Sequence, residues 1–313
     1  MAKTYHSFGG LAAAAAAAGV LVAVGMLLLT IVVMVEPAGA AFPGKPGKIA
    51  YRCYDGKDYE ICTIKPAGGG RLQLTDNATN DSEPSYSPSG KKIVYSGQDG
   101  PNADWEIYKI NAGGGGKVQL TNNDTDDFTP FYSPSGKMII YSGQDGPKGD
   151  YEIYKINAGG GGKVQLTDNG TDEFATSYSP NGQRIAYYGY DGTDWEIYTI
   201  KNAGGGRVQL TDNTTNDYDP DYSPSGKKIA YSGSDGKDHE LYKINAGGGG
   251  KVQLTDNGTD DYGPSYSPNG QRIAYYSGAE PTREIYTIKP DGGGRVQVTN
   301  NNRDDLEPSW GSS

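Results

Sequence analysis

Histidine and cysteine are almost missing from this chain. Its 313 residues hold two of each, with only four methionines and five phenylalanines. His6 falls in the apolar N-terminal region, and His239 stands alone. No Ser-His-Asp triad, Cys-His pair or multi-histidine metal set can be assembled from that stock. Basic charge is also short: 28 Lys and Arg face 38 Asp and Glu, a formal charge of −10. Phosphate binding wants a basic surface, so nucleic acid is excluded as a partner class. Beyond residue 40 the sequence has no long apolar run and no uninterrupted stretch of helix formers.

Glycine (48) and tyrosine (25) are plentiful instead, a balance that favours short strands and tight turns. Cys53 and Cys62 flank the turn "YDGKDYE". A cross-strand disulfide and two separately packed thiols are both open readings. Without a nearby histidine they make no zinc site.

Residues 9–35 carry no charge, Lys3 precedes them, and "AGA" at Ala38–Ala40 offers a small-x-small cleavage site before Ala41. This pattern is an export signal. The apolar stretch is also long enough to span a membrane, so cleavage and retention as an anchor are both open. Either way the remainder is expected outside the cytoplasm, meeting the membrane only through residues 9–35. The expected division is 1–40 signal or anchor, 41–47 linker, and 48–313 a folded, monomeric region.

That region repeats. "IAY" or a variant begins at Ile49, Ile93, Ile139, Ile185, Ile229 and Ile273, at spacings of 44 or 46 residues. In the copy around Ile229, "PDYSP" is a first strand and "SPSGK" a turn. "KIAYSGS" (Lys228–Ser234) is a second strand, "ELYKI" (Glu240–Ile244) a third and "KVQLT" (Lys251–Thr255) a fourth. Four strands without a crossover helix make one antiparallel blade. A ring of blades buries the faces that one blade cannot. The folded region opens with second, third and fourth strands and ends on a lone first strand, "EPSW" (Glu307–Trp310). Together these complete a sixth blade and leave no exposed sheet edge. The expected fold is all-β: a six-bladed β-propeller with four-stranded antiparallel blades, closed by the C-terminal strand.

"PSYSPSGKKIAYSGSDGKDHELYKINAGGGGKVQLT" resembles the repeat of TolB-type propellers, whose pattern is roughly P-x-W-S-P-D-G-K-x-I-A-F, then I-Y, then L-T. Tyr86, Tyr132, Tyr178, Tyr222 and Tyr266 stand where that pattern has Trp, which returns at Trp310. The resemblance covers the six copies and implies architecture. It does not extend to the N-terminal α/β domain of TolB or to its role in envelope complexes.

Strand order assigns the loops to two faces. One face collects the "DNGTDD" and "SGQDGPNADWE" loops and is expected to be acidic, with Asp81, Asp127, Asp217, Asp261, Asp104 and Asp194 among its charges. The other collects "SPSGKK" and "GGGGK", flanked by cations such as Lys117, Lys163, Arg207, Lys251 and Arg295. Asp and Asn cap their own backbone in such turns, which explains the recurrent acidic phrase. The functional alternative is calcium at Asp256, Asp260 and Asp261, since hard cations want oxygen ligands. No cofactor other than such a Ca2+ is expected. N-x-T at Asn77, Asn123, Asn169, Asn213 and Asn257 is explained equally well by the turn.

The copies differ most beside the first-strand proline. Those positions are Glu83, Thr129, Ala175, Asp219, Gly263 and Glu307, then Ser85, Phe131, Ser177, Asp221, Ser265 and Ser309. A six-fold scaffold supplies the asymmetry of a binding site only where its repeats diverge. Glu83, Phe131, Asp219, Asp221 and Glu307 are therefore the candidate binding residues. No catalytic residue is singled out. The leading expectation is an exported, non-catalytic scaffold that binds a protein or peptide with a basic surface, or an envelope ligand. The alternatives are a calcium-dependent glycan hydrolase or lyase using the acidic loops, and a structural cell-surface protein.

Overall fold

The computed structural model describes residues 43–98, 104–144 and 148–313, apart from the side chains of 175 and 176. The N-terminal segment expected to be an export signal lies outside the described residues.

Six four-stranded antiparallel sheets follow one another. Blades one to five begin at the inner strands Asp81–Tyr86, Asp127–Tyr132, Glu173–Tyr178, Asp217–Tyr222 and Asp261–Tyr266. Blade six joins the two ends of the folded region. Asp305–Ser312 pairs with Pro46–Tyr54, which pairs with Tyr59–Ile64 and so with Leu72–Gln73. Trp310 sits opposite Ile49 in that closing ladder.

The core lies between blades. One cluster joins Ala186, Ile197 and Leu210 of blade three to Tyr222, Ile229 and Tyr231 of blade four, and five further clusters repeat the arrangement at the other seams. The first-strand tyrosines occupy these seams almost without exposure. The fourth strands are shorter than the sequence suggests, with two residues each, as in Val252–Gln253. They are the outermost strands, and their valines remain exposed. The next residue turns inward: Leu254 is buried and donates its N–H to the Leu241 carbonyl at 2.7 Å.

The acidic phrase is a hydrogen-bonding module. In "TDNTTND", Asn213 accepts the N–H and hydroxyl of Thr215, donates its own N–H to Glu196 (2.6 Å), and donates Nδ2–H to Asp217 (2.8 Å). Thr211 Oγ1 accepts the Ile197 N–H at 2.8 Å. The Nδ2–carboxylate bond recurs at Asn77, Asn123, Asn169, Asn257 and Asn301, the last with Arg303 in place of the threonine. Each asparagine nitrogen is thus committed to an interior carboxylate, which supports the turn reading of N-x-T. It also corrects the expected acidic face. Asp81, Asp127, Asp217 and Asp261 are wholly buried, and Asp104 and Asp194 nearly so. Period-two alternation turns these residues into the blade. The opposite face also keeps fewer free charges than expected. Lys117, Lys163, Arg207, Lys251 and Arg295 lie 3.9–4.4 Å from the centres of Tyr108, Tyr154, Tyr198, Tyr242 and Tyr286.

Cys53 and Cys62 are disulfide-bonded across the first ladder of blade six, with Cα atoms 5.9 Å apart and both side chains buried. Trp310 closes the ring against Ile49, Tyr51, Ala274 and Ile285. Trp310→Ala is expected to cost about 3–5 kcal/mol, seen as a lower midpoint in a thermal melt followed by circular dichroism. An unchanged midpoint would show that the last strand does not hold the ring shut.

Candidate functional site

The six inner strands pack side by side around the axis. Each departs from regular pairing at the same place: the register shifts between Ser82 and Ser85, and likewise in every other blade. At that bulge Glu83, Thr129, Asp219 and Glu307 hold φ of 52–54°, and Gly263 holds 62°. A left-handed backbone at a non-glycine residue costs about 1–3 kcal/mol and gathers where a site over-determines it. A proline follows each of the five. Blade three has Thr176 in that place, and its Ala175 stays paired with Tyr187.

What holds the strained residues is visible at their side chains. Glu307 Oε2 accepts the Glu83 N–H at 2.7 Å and the Ser82 hydroxyl at 3.0 Å. Glu83 Oε2 accepts the Thr129 N–H at 2.6 Å and the Ser96 hydroxyl at 2.9 Å. The Gly263 N–H bonds instead to the Ser232 hydroxyl at 3.1 Å, again on the preceding blade. A side-chain oxygen on one blade therefore fixes the bulge of the next. Two residues on, a second tier does the same. Ser177 Oγ accepts the Tyr222 N–H, Asp221 Oδ2 accepts the Tyr266 N–H at 2.7 Å, and Ser265 Oγ accepts the Trp310 N–H.

These two tiers line an axial cavity of about 370 Å3. Glu83, Phe131, Asp219, Asp221 and Glu307 all stand on its wall. Tyr188, Tyr218, Tyr262 and Tyr276 complete one side. The sequence reading missed these rings, although a signal was present. The second-strand position reads Arg52, Ser96, Ser142, Tyr188, Ser232, Tyr276 around the ring, a divergence like the one used for the first strand. Arg52 pairs with Glu307 at 3.1 Å and stacks 3.8 Å from the Tyr59 ring centre.

Burial dominates the electrostatics. Desolvation, with repulsion from Glu307, pushes both the Glu83 and Asp219 carboxyls up to about 7. Desolvation alone raises Asp221 to about 7, against hydrogen bonds from Tyr266 and Ser177. A wall of desolvated carboxyls beside tyrosine faces can hold a cationic group by charge and by cation–π contact.

The other candidates lie elsewhere. Asp256 is exposed, Asp260 accepts the His239 N–H at 2.9 Å, and Asp261 is buried on Asn257. The structure does not gather these three carboxylates. His239 sits between Tyr218 and Tyr262, with Nδ1 2.7 Å from the Tyr262 hydroxyl.

Residues 173–313 match the family model for the TolB beta propeller domain, PD40. That stretch belongs to the TolB-like propeller domains by sequence, and the described residues as a whole form a six-bladed propeller. TolB from Acinetobacter baumannii is 23% identical over 85% of this chain and 67% of its own, with a TM-score of 0.74. A putative TolB from Agrobacterium tumefaciens is 19% identical over 85% and 91%, with a TM-score of 0.69. An oligogalacturonate lyase solved with manganese is more distant: 15% identity over 82% and 74%, TM-score 0.53. No curated protein matches. At these identities the solved structures speak for the fold.

The TolB-like propeller buries further raised carboxyls in the asparagine modules, with Asp81, Glu173 and Glu196 pushed up to about 7 and Asp305 to about 6, mainly by desolvation. A carboxyl whose folded value lies above its unfolded one binds more protons when folded. Its stabilising share is full below the unfolded value and is lost as pH rises through about 7. The melting midpoint in a metal chelator should therefore fall between about pH 5 and pH 8. A midpoint that climbs over that interval would contradict the buried-carboxyl assignment.

Proposed function

We propose that this TolB-like propeller is an exported, non-catalytic scaffold whose axial cavity receives a lysine or arginine side chain of a protein or peptide partner. The observation that carries the reading is the convergence of the divergent positions. Residues that break the six-fold repeat share one cavity, and four of them are carboxylates. Tyrosine supplies broad, rigid contact area at low entropic cost, and partly desolvated acids reward an incoming cation more than surface acids do. Export is supported by the uncharged segment before Ala41 and by a buried disulfide, which persists in an oxidising compartment. The lyase alternative finds less support, because the cavity lining holds no histidine and no isolated acid–base pair.

A peptide selection on the full-length chain, followed by titration of the selected sequences, tests this. The expected ligands carry an exposed Lys or Arg. Glu83→Gln with Asp219→Asn keeps an oxygen for the Thr129 N–H, and asparagine tolerates a left-handed backbone. That pair should weaken binding about tenfold or more, since charge-assisted contacts are worth about 1.5–3 kcal/mol. Equal affinity in the double variant would sink the assignment. The sign with pH follows from the raised carboxyls. Affinity should increase from pH 5 to pH 8 as Glu83, Asp219 and Asp221 ionise through about 7.

A further inference from the structure

A second group of acids stands apart from the axial cavity, in the loops joining second to third strands. The chain writes D-G-x-D-[Tyr/Trp/His]-E at Asp55–Glu60, Asp191–Glu196 and Asp235–Glu240. Asp194 immediately precedes the strand Trp195–Lys201, and Glu196 is its second residue. Asp191 begins the preceding turn, where its Oδ1 accepts the N–H groups of Thr193 (2.8 Å) and Asp194 (3.2 Å) and the Thr193 hydroxyl. One oxygen from each of Asp191, Asp194 and Glu196 lies within 4.8 Å of the others.

Turn geometry explains Asp191, and the asparagine module explains one oxygen of Glu196, which accepts the Asn213 N–H. Neither explains Asp194. It is only 8% exposed, and neither carboxylate oxygen has a hydrogen-bond partner. A buried carboxylate left in this state is heavily penalised unless a charge compensates it. Arg207 acts on Asp191, and the acids Asp191 and Asp212 both act on Asp194. The unmet demand is therefore for positive charge, delivered where three oxygens converge. The same state recurs. Asp55, Glu60 and Asp76 form a second convergent set, and Glu60, fully buried, leaves Oε2 unpartnered. Lys57 and Arg303 lie beside Asp55 in that loop. Blade five departs from the pattern. Thr282 replaces the central Asp, Arg283 replaces the aromatic, and Arg283 pairs with Glu280 at 2.7 Å. Where the acid is lost, a built-in cation appears.

We infer that Asp191, Asp194 and Glu196 bind a divalent cation, calcium by the chemistry of their all-oxygen donor set, and that Asp55, Glu60 and Asp76 bind another. Carboxylate-only donors exclude the softer, nitrogen- and sulfur-seeking metals. A turn that gathers three carboxylates suits the larger, irregular shell of Ca2+ better than the octahedron of Mg2+. The sites lie on the blade loops, so the inference stands or falls separately from peptide binding at the axis.

The test is calorimetric titration of the chelator-stripped full-length chain with CaCl2 alone, paired with thermal melts. Two binding events and a calcium-dependent rise in melting midpoint are expected. Asp194→Asn should lose one event. In chelator it should melt at or above the parent, because a buried unpaired charge has been removed. A residue with a merely structural role would lower that midpoint. No heat and no shift for the parent at about 10 mM calcium, well above the weakest extracellular-module affinities, would overturn the inference. So would unchanged stoichiometry in Asp194→Asn, or equal binding of magnesium. The parent titration decides the matter even if the variant fails to fold.

Discussion

Five of the six seams of this ring, among the described residues, have one blade lending a side-chain oxygen to the backbone of the next. Glu307 holds the Glu83 N–H, Glu83 holds the Thr129 N–H, and Asp221 holds the Tyr266 N–H. The apolar clusters supply most of the burial energy, but they are alike at all six seams and would permit blades to slide. The axial hydrogen bonds are directional and give the blades their register. They also let the bulged residues remain at positive φ, because the strained N–H groups are the ones engaged. Strain and its restraint are thus arranged around the same cavity.

The architecture was legible because repetition amplifies a weak signal. A single "SPSGKKIAY" is an unremarkable turn and strand, whereas six at one period define a ring and locate its closing strand. The cavity was legible for the complementary reason: once the shared residues are set aside, those left over face the axis. Other features stayed hidden because they depend on direction. Asp260 and Asp261 are neighbours in sequence, but a strand sends them to opposite sides, one to the His239 backbone and one into the core. Counting acids per loop overstated the charge of that face and did not separate acids that diverge from acids that converge. The convergent acids follow spacings of two and three along "DGTDWE", and the sequence reading treated that stretch only as a turn. Positive φ before proline left no trace in residue type, since Glu, Thr and Asp all adopt it here.

Carboxylates do three separate jobs in this molecule, and their surroundings separate the jobs. In the asparagine modules they are wholly enclosed and accept several N–H groups, as Glu196 does from Asn213. At the axis Glu83, Asp221 and Glu307 each accept an N–H of the neighbouring blade and stand on the wall of a cavity. In the second-to-third loops Asp194 gives neither oxygen to anything. Desolvation raises all three kinds, so raised acidity alone does not mark a site. The third kind is marked by a carboxylate with both oxygens unpartnered, as at Asp194, where the module acids leave at most one.

The second axial tier also shows how a near-symmetric ring acquires a direction. Ser177, Asp221 and Ser265 each accept the next blade's N–H, but Phe131 has no acceptor to offer. It packs instead against the clusters on both sides of its blade. One blade earlier, the buried Ser85 hydroxyl has no partner. In this second tier the wall around blades one to three is therefore held more by apolar packing and less by hydrogen bonds than the wall around blades three to five. The tyrosines Tyr188, Tyr218, Tyr262 and Tyr276 and the acids Asp219 and Asp221 all belong to the latter half. Polar restraint and ligand-facing chemistry coincide there, where positioning a charged side chain to within hydrogen-bonding tolerance demands the more rigid wall.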